Sequence, residues 1–186
     1  MPLLQSARAQ RLGVWLLHRL GWQISGQLPD LPKMVVAVAP HTSNWDFIVA
    51  LAASFALGIK ISFLGKHSIF VWPLNQFLRR FGGIPVQRSH AHGVVGQLVD
   101  NFAREPQLIL GIAPEGTRKK VTLWKSGFWQ IARQAGVPIL LVGLDFASKT
   151  VVFGPVLTPT DDFAADLAQM KGFFATMQAR YPANFG

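Results

Sequence analysis

Apolar positions along the chain fall into short continuous runs separated by longer amphipathic stretches. The runs at 35–39, 61–64, 108–113, 139–144 and 151–153 predict strands. Their near-continuous apolar character, as in Ile139-Leu140-Leu141-Val142, suits strands buried on both faces of a parallel sheet. Helical periodicity occupies 44–57, 74–81, 92–103, 128–134 and 163–180. Strands alternating with helices specify βαβ units. The expected fold class is α/β: a single domain with a mostly parallel sheet flanked by helices, preceded by an amphipathic N-terminal helix.

That first helix is read over residues 7–22. At roughly 100° per residue, Arg8, Arg11, His18 and Arg19 share one side, and Leu12, Leu16, Leu17 and Leu20 share the other. Trp15 and Trp22 lie within or beside the basic arc. Arginines, tryptophans and a leucine face together describe a helix lying in a membrane interface. A helix packed on the domain's own core is the alternative, and a transit peptide, which would need more Ser, a weaker one. The turn-rich connector Gly26-Gln27-Leu28-Pro29-Asp30-Leu31-Pro32 follows. Residues 1–30 are therefore expected to form an interfacial helix and connector, and 31–186 the α/β domain.

Composition sharpens this picture. Half of the 186 residues are hydrophobic and 15% are charged, so the chain is not disordered. Its longest uncharged apolar stretch, 47–59, is too short to cross a bilayer and reads as a buried helix. A net charge of +9 calls for an anionic partner. The 18 basic residues are spread without a dense Lys/Arg block, which favours an anionic lipid surface or a phosphorylated small substrate over nucleic acid. With no cysteine, disulfides, thiolate catalysis and Cys-based metal sites are excluded.

The candidate chemistry begins at the run Pro40-His41-Thr42-Ser43-Asn44-Trp45-Asp46, which reads as a strand-to-helix turn. Such turns can aim side chains into the crevice at the carboxyl end of a parallel strand. A carboxylate beside an imidazole holds one ring tautomer and stabilises the imidazolium formed when the other nitrogen takes a proton. That is equipment for deprotonating an alcohol. Ser43-x-x-Asp46 also fits a helix capping box, in which Asp46 merely helps the helix begin.

Three other segments add to the pair. Gly82-Gly83-Ile84-Pro85-Val86-Gln87-Arg88 is a glycine pair, an extended piece and an arginine whose planar fork suits phosphate. Pro114-Glu115-Gly116-Thr117-Arg118 follows the buried run at 108–113. There, amides near Gly116, the Thr117 hydroxyl and the Arg118 guanidinium can donate to an oxyanion. Glu115 is one of only two glutamates, so it is not one of many surface charges. Val137-Pro138-Ile139 carries no reactive group and reads as core. His90-Ala91-His92 has ligand-like chemistry, but two histidines after a strand are more often surface.

In this order and spacing, the four segments resemble the four blocks of the glycerolipid acyltransferase family, which includes the 1-acylglycerol-3-phosphate (lysophosphatidate) acyltransferases. His41 and Asp46 match its His-x-x-x-x-Asp block. Residues 82–88 match its Gly-x-Ile-x-Val-x-Arg-like block, 114–118 its Pro-Glu-Gly-Thr-Arg block, and 137–139 its Val-Pro-Ile block. Lys66, Ile69-Phe70, Pro73 and Phe77-Leu78-Arg79-Arg80-Phe81-Gly82 resemble the family's connecting stretch. The likeness covers roughly 34–145. The filling Thr42-Ser43-Asn44-Trp45, and Ala113 before the third block, depart from the commonest forms.

The resemblance implies acyl transfer from an acyl-CoA or acyl carrier protein thioester to the hydroxyl of a lysophospholipid. His41 would be the general base and Asp46 its partner. Lys66, Arg88, Glu115, Gly116, Thr117 and Arg118 would bind substrate. No metal and no cofactor beyond the thioester is implied. A place on the inner face of the cell membrane, bound peripherally from the cytoplasm, is expected. The competing classes are a basic nucleic-acid-binding module and a lipid-binding scaffold without turnover.

Overall fold

The computed structural model describes residues 1–4, 6–86 and 91–186. In chain order its main elements are α1 (Ala7–Leu20), β1 (Gln23–Ser25), β2 (Lys33–Ala39), α2 (Asn44–Ala56), β3 (Ser62–Lys66), α3 (Leu74–Arg80), β4 (Gly83–Val86), α4 (Ala91–Arg104), β5 (Leu108–Ile112), α5 (Gly127–Ala135), β6 (Ile139–Asp145), β7 (Thr150–Leu157) and α6 (Phe163–Phe174). The strands form one sheet in the order β1-β7-β6-β2-β5-β3-β4. All pairs are parallel except β6 with β7. The expected α/β domain with a mostly parallel sheet is what the chain forms.

Alternation along β2 explains how the sheet is sandwiched. Val35, Ala37 and Ala39 point to one face, where they pack with Leu98 and Phe102 of α4, Phe128 and Ile131 of α5, and Met170 and Phe174 of α6. Met34 and Val36 point to the other, against Leu17 of α1 and Val49, Ala52 and Ala53 of α2. The helix that follows β2 therefore covers one face, and the helix that follows the adjacent β5 covers the other. Diverging connections of this kind open a crevice between the two loops.

Several expectations are revised. β1 and β4 are true strands at the two edges of the sheet. Three and four residues are too few for periodicity to announce them, and their pairing with β7 and β3 supplies the order. β7 returns antiparallel through a tight turn, Phe146 to Lys149. The last helix stops at Phe174, six residues before the expected end at 180. Backbone groups of Gln178 bond instead to Asp145 and Phe146, drawing the chain across the sheet edge.

The first helix also differs in part. Ser6 caps it, its hydroxyl accepting the Ala9 N–H at 3.2 Å, and Gly21 ends it in the left-handed region, φ 70°. Gly13 and Leu17 are buried against α2, whereas Leu12, Val14 and Trp15 stay exposed beside Arg8, Arg11 and Arg19. Trp22 is not an interfacial residue: it is buried and meets the Phe146 ring edge-on, centroids 4.8 Å apart. Among the described residues no helix is long and apolar enough to cross a membrane.

The α1–α2 contact allows no side chain at Gly13, because a Cβ there would lie 2.7 Å from the Ala52 carbonyl oxygen. In an open helix Gly→Ala stabilises by about 1 kcal/mol. Here overpacking reverses the sign, and Gly13→Ala should lose about 1–2 kcal/mol, lowering Tm by roughly 3–8 °C. A thermal melt showing a higher Tm would mean the helices do not approach this closely.

Candidate active site

The central strand β2 delivers the first block to the carboxyl edge of the sheet. Ser43 caps α2 in an extended conformation, φ −149° and ψ 169°, and Asp46, in the first turn of the helix, reaches back. Its Oδ2 accepts the N–H groups of Thr42 and Ser43, both at 2.6 Å, and its Oδ1 accepts the Ser43 hydroxyl at 2.7 Å. The same Oδ2 lies 3.4 Å from His41 Nδ1. Capping the helix and facing the histidine are thus one carboxylate's two tasks. At 3.4 Å the pair is an electrostatic contact rather than a short hydrogen bond, and it tightens if the imidazole takes up a proton.

Burial differs across the pair. The Asp46 side chain is 1% exposed and that of His41 24%, so the ring keeps an open edge while its partner is sealed. Burial pushes the Asp46 carboxyl upward, but contact with His41 and the hydrogen bonds from Ser43 outweigh this and hold it below the usual carboxylate range. A fixed anion behind Nδ1 leaves Nε2 as the nitrogen that can exchange a proton with a ligand.

Glu115 connects this turn to the third block. β5 runs parallel beside β2, and the loop after it brings Glu115 Oε1 to 2.7 Å from the His41 N–H, which it accepts. The carboxylate is buried, and among the described residues its Oε2 has no hydrogen-bond partner. Desolvation dominates, and even against the His41 N–H it raises the Glu115 pKa to about 7. Through Oε1, Glu115 faces the main chain of His41.

The rest of the loop is self-bonded. Gly116 turns at φ 66°, its N–H donates to Ala113 O at 3.0 Å, and the Lys125 stem fills the space where a Cβ would sit. The Thr117 hydroxyl accepts the Lys119 N–H at 3.3 Å, which leaves its own O–H free to donate. Arg118, three residues past Glu115, is exposed and without an ion-pair partner among the described residues. Lys66 closes β3, the next parallel strand along the same edge. Arg88, two residues beyond the end of β4, lies outside the described residues.

The His90-Ala91-His92 run also falls at that boundary, with His90 outside it. Among the described residues no cluster of His, Cys, Asp or Glu is placed to hold a metal. Sequence reading missed two contributors. Ser43 was seen only as a cap, although it donates twice to Asp46. The C-terminal segment carries no motif, yet the Tyr181 N–H reaches Thr42 Oγ1 at 3.3 Å.

A seven-stranded α/β sheet with a His-Asp pair at the carboxyl end of its central strand, flanked by a Pro-Glu-Gly-Thr-Arg loop, has the makings of a transferase site. A family profile described as Acyltransferase matches residues 24–144, and the chain belongs to this family of acyltransferase enzymes. Its fold is similar to the crystal structure of the 1-acyl-sn-glycerophosphate (LPA) acyltransferase PlsC from Thermotoga maritima. The TM-score is 0.62 at 16% sequence identity, over 89% of this chain and 75% of that one. No curated protein matches the sequence significantly.

Glu115 makes stability depend on pH with a definite sign. Its folded pKa of about 7 stands above the ordinary value of 4.5, so between those values the folded state holds a proton that the unfolded state has lost. Stability drawn from this group therefore falls as pH rises through that window. Glu115→Gln keeps an acceptor for the His41 N–H and removes the titration. The variant's Tm, relative to wild type, should climb by several degrees from about pH 4.5 to about 7 and level off above. A difference that stays flat across the range would show that the carboxyl is already ionised in the folded protein.

Proposed function

We propose that this protein transfers a fatty acyl group from an acyl-CoA or acyl carrier protein thioester to the hydroxyl of a lysophospholipid, 1-acylglycerol-3-phosphate foremost, in phospholipid biosynthesis. The observation that carries the reading is the half-open His41 imidazole, backed at Nδ1 by the sealed Asp46 carboxylate. His41 Nε2 takes the proton of the acceptor hydroxyl as its oxygen attacks the thioester carbonyl. Asp46 stabilises the imidazolium. Collapse of the tetrahedral adduct expels the thiolate, which recovers the proton from His41 and leaves as thiol, and the acyl group remains on the acceptor as an ester. Neither a cysteine nor a Gly-x-Ser-x-Gly elbow is present to form an acyl-enzyme.

The remaining assignments follow from chemistry at the same edge. Arg118, Thr117 and the amides around Gly116 are the donors for the acceptor phosphate, with Lys66 at the end of the neighbouring strand β3; Arg88, which lies outside the described residues, is assigned to the same task by its sequence block alone. The apolar crevice under α2, walled by Val36, Val38, Ala53, Leu57, Ile61 and Val142, is narrow and would have to widen to take an acyl chain. It begins on the strand that ends before His41.

Membrane docking is part of the proposal. After β3 the chain exposes Ile69, Val71, Trp72 and Leu74, with Trp72 82% exposed, and α1 exposes Leu12, Val14 and Trp15. Exposed Arg79 and Arg80 flank the first group, and Arg8, Arg11 and Arg19 the second. Apolar side chains rimmed by cations are the surface an anionic leaflet accepts, which favours a peripheral place on the inner face of the cell membrane.

Two measurements decide the matter. With thioester and a panel of lysolipids, products identified by mass, wild type should acylate the acceptor and His41→Ala should lose roughly 10²–10⁴-fold in kcat. A folded His41→Ala protein with wild-type turnover would remove the base. In flotation with vesicles containing anionic lipid, Trp72→Ser should bind about tenfold more weakly, the loss expected when one large apolar side chain no longer leaves water. Equal binding would move the docking surface elsewhere.

A further inference from the structure

The chain beyond α6 crosses the carboxyl edge of the sheet and reaches the His41 turn. Gln178 is pinned at both backbone groups, its N–H donating to Asp145 Oδ1 at 2.9 Å and its carbonyl accepting the Phe146 N–H at 2.8 Å. Met177 occupies the space left by the missing side chain of Gly143. Three residues past Gln178, the Tyr181 N–H donates to Thr42 Oγ1 at 3.3 Å. This path sets Arg180 over the Trp45 ring, 5.2 Å from its centroid, with Phe146 and Tyr181 at 5.9 and 5.7 Å. Trp45 belongs to the turn between His41 and Asp46.

The three rings surround the guanidinium carbon at these distances, and a cation–π contact leaves its N–H groups available as hydrogen-bond donors. Arg180 is exposed, and among the described residues no carboxylate lies within ion-pair distance and no hydrogen bond consumes its edge. The nearby acids are engaged elsewhere: Asp46 with Thr42, Ser43 and His41, and Asp145 with Ala147, Ser148 and Gln178. An oriented cation with a free donor edge, beside the catalytic turn, is a ready ligand for a planar pair of phosphate oxygens.

We propose that Arg180, presented by the C-terminal segment on the aromatic cradle of Trp45, Phe146 and Tyr181, binds a substrate phosphate at the rim of the His41 site. This rests on the acyl-transfer reading. Two substrates carry such a group: the acceptor through its headgroup, and the thioester through its carrier. Arg180 lies outside the four blocks, so its contribution is to binding, whereas proton transfer stays with His41.

The test compares wild type with Arg180→Ala, Arg180→Gln and the control Arg133→Ala, an exposed arginine on the opposite helical layer. Steady-state rates are measured with palmitoyl-CoA and 1-acylglycerol 3-phosphate, varying each in turn. Either Arg180 variant should raise one KM roughly tenfold with kcat within about twofold, the loss expected of a charge-assisted phosphate contact. Repeating the series with monoacylglycerol as acceptor, or with palmitoyl-N-acetylcysteamine as donor, identifies the source. The substrate whose missing phosphate abolishes the difference is the one Arg180 binds.

Calorimetric titration with CoA and with glycerol 3-phosphate reads the same contact without turnover. Tenfold weaker binding of one of them to Arg180→Gln supports the proposal. Unchanged KM values and unchanged binding of both overturn it, and a lowered Tm alone would make Arg180 a staple for the C-terminal segment. Wild type that binds neither ligand overturns it as well. Failure of wild type to acylate any acceptor counts against the acyl-transfer reading, and the calorimetric comparison still decides Arg180.

Discussion

Two buried carboxylates hold one turn of main chain, and the site depends on both. Asp46 collects the N–H groups of Thr42 and Ser43 and the Ser43 hydroxyl from inside the turn. Glu115 takes the N–H of His41 from a loop 74 residues away in sequence. Their environments drive them apart. The well-bonded Asp46 is held as an anion in spite of burial, whereas Glu115, with one oxygen unsatisfied, is pushed toward neutrality. A histidine whose backbone is fixed from one side and whose ring is faced from the other has little orientation left to lose when a substrate arrives, which is the condition for efficient proton transfer.

Sheet order makes this possible. β2 and β5 are neighbours, but the helix after each departs to a different face of the sheet. Their loops therefore part above the strand ends and leave room between them. β3 and β4 continue the row, so the Lys66 end of β3 and the Val86 end of β4 lie along the same edge. On the opposite flank of β2, β6 carries Gly143 and Asp145, where the C-terminal segment anchors on its way to Thr42 and Trp45. Loops from both flanks thus converge on the end of the central strand, beside His41.

In the proposed function the layer formed by α1 and α2 has a second task, facing the membrane. Its inner face packs on the sheet through Leu17, Val49, Ala52 and Ala53, while Leu12, Val14 and Trp15 remain outside beside arginines. The two sequence readings of the first helix, core-packed or interfacial, are therefore compatible. Gly13 and Leu17 satisfy the first, and the exposed residues leave an apolar surface of the kind the second requires. The exposed Trp72 segment follows β3, on the same edge as the candidate site.

Much of this was legible in the sequence. Continuous apolar runs gave the central strands, because burial on both faces leaves no room for alternation. The Ser43-x-x-Asp46 capping box and the His41–Asp46 spacing were readable because a capping turn is settled within four residues of chain. The edge strand β1 was not, and β4 showed only as a short extended piece, since so few residues acquire their order from partners. Nor could sequence reveal that Glu115 would bond the His41 backbone, or that residues 175–186 would leave the helix and bring Arg180 onto Trp45. Those contacts join positions 74 and 135 or more residues apart. Local patterns record what one turn or one strand can satisfy alone; which loops meet is set by strand order and packing, and these exist only once the whole sheet has formed.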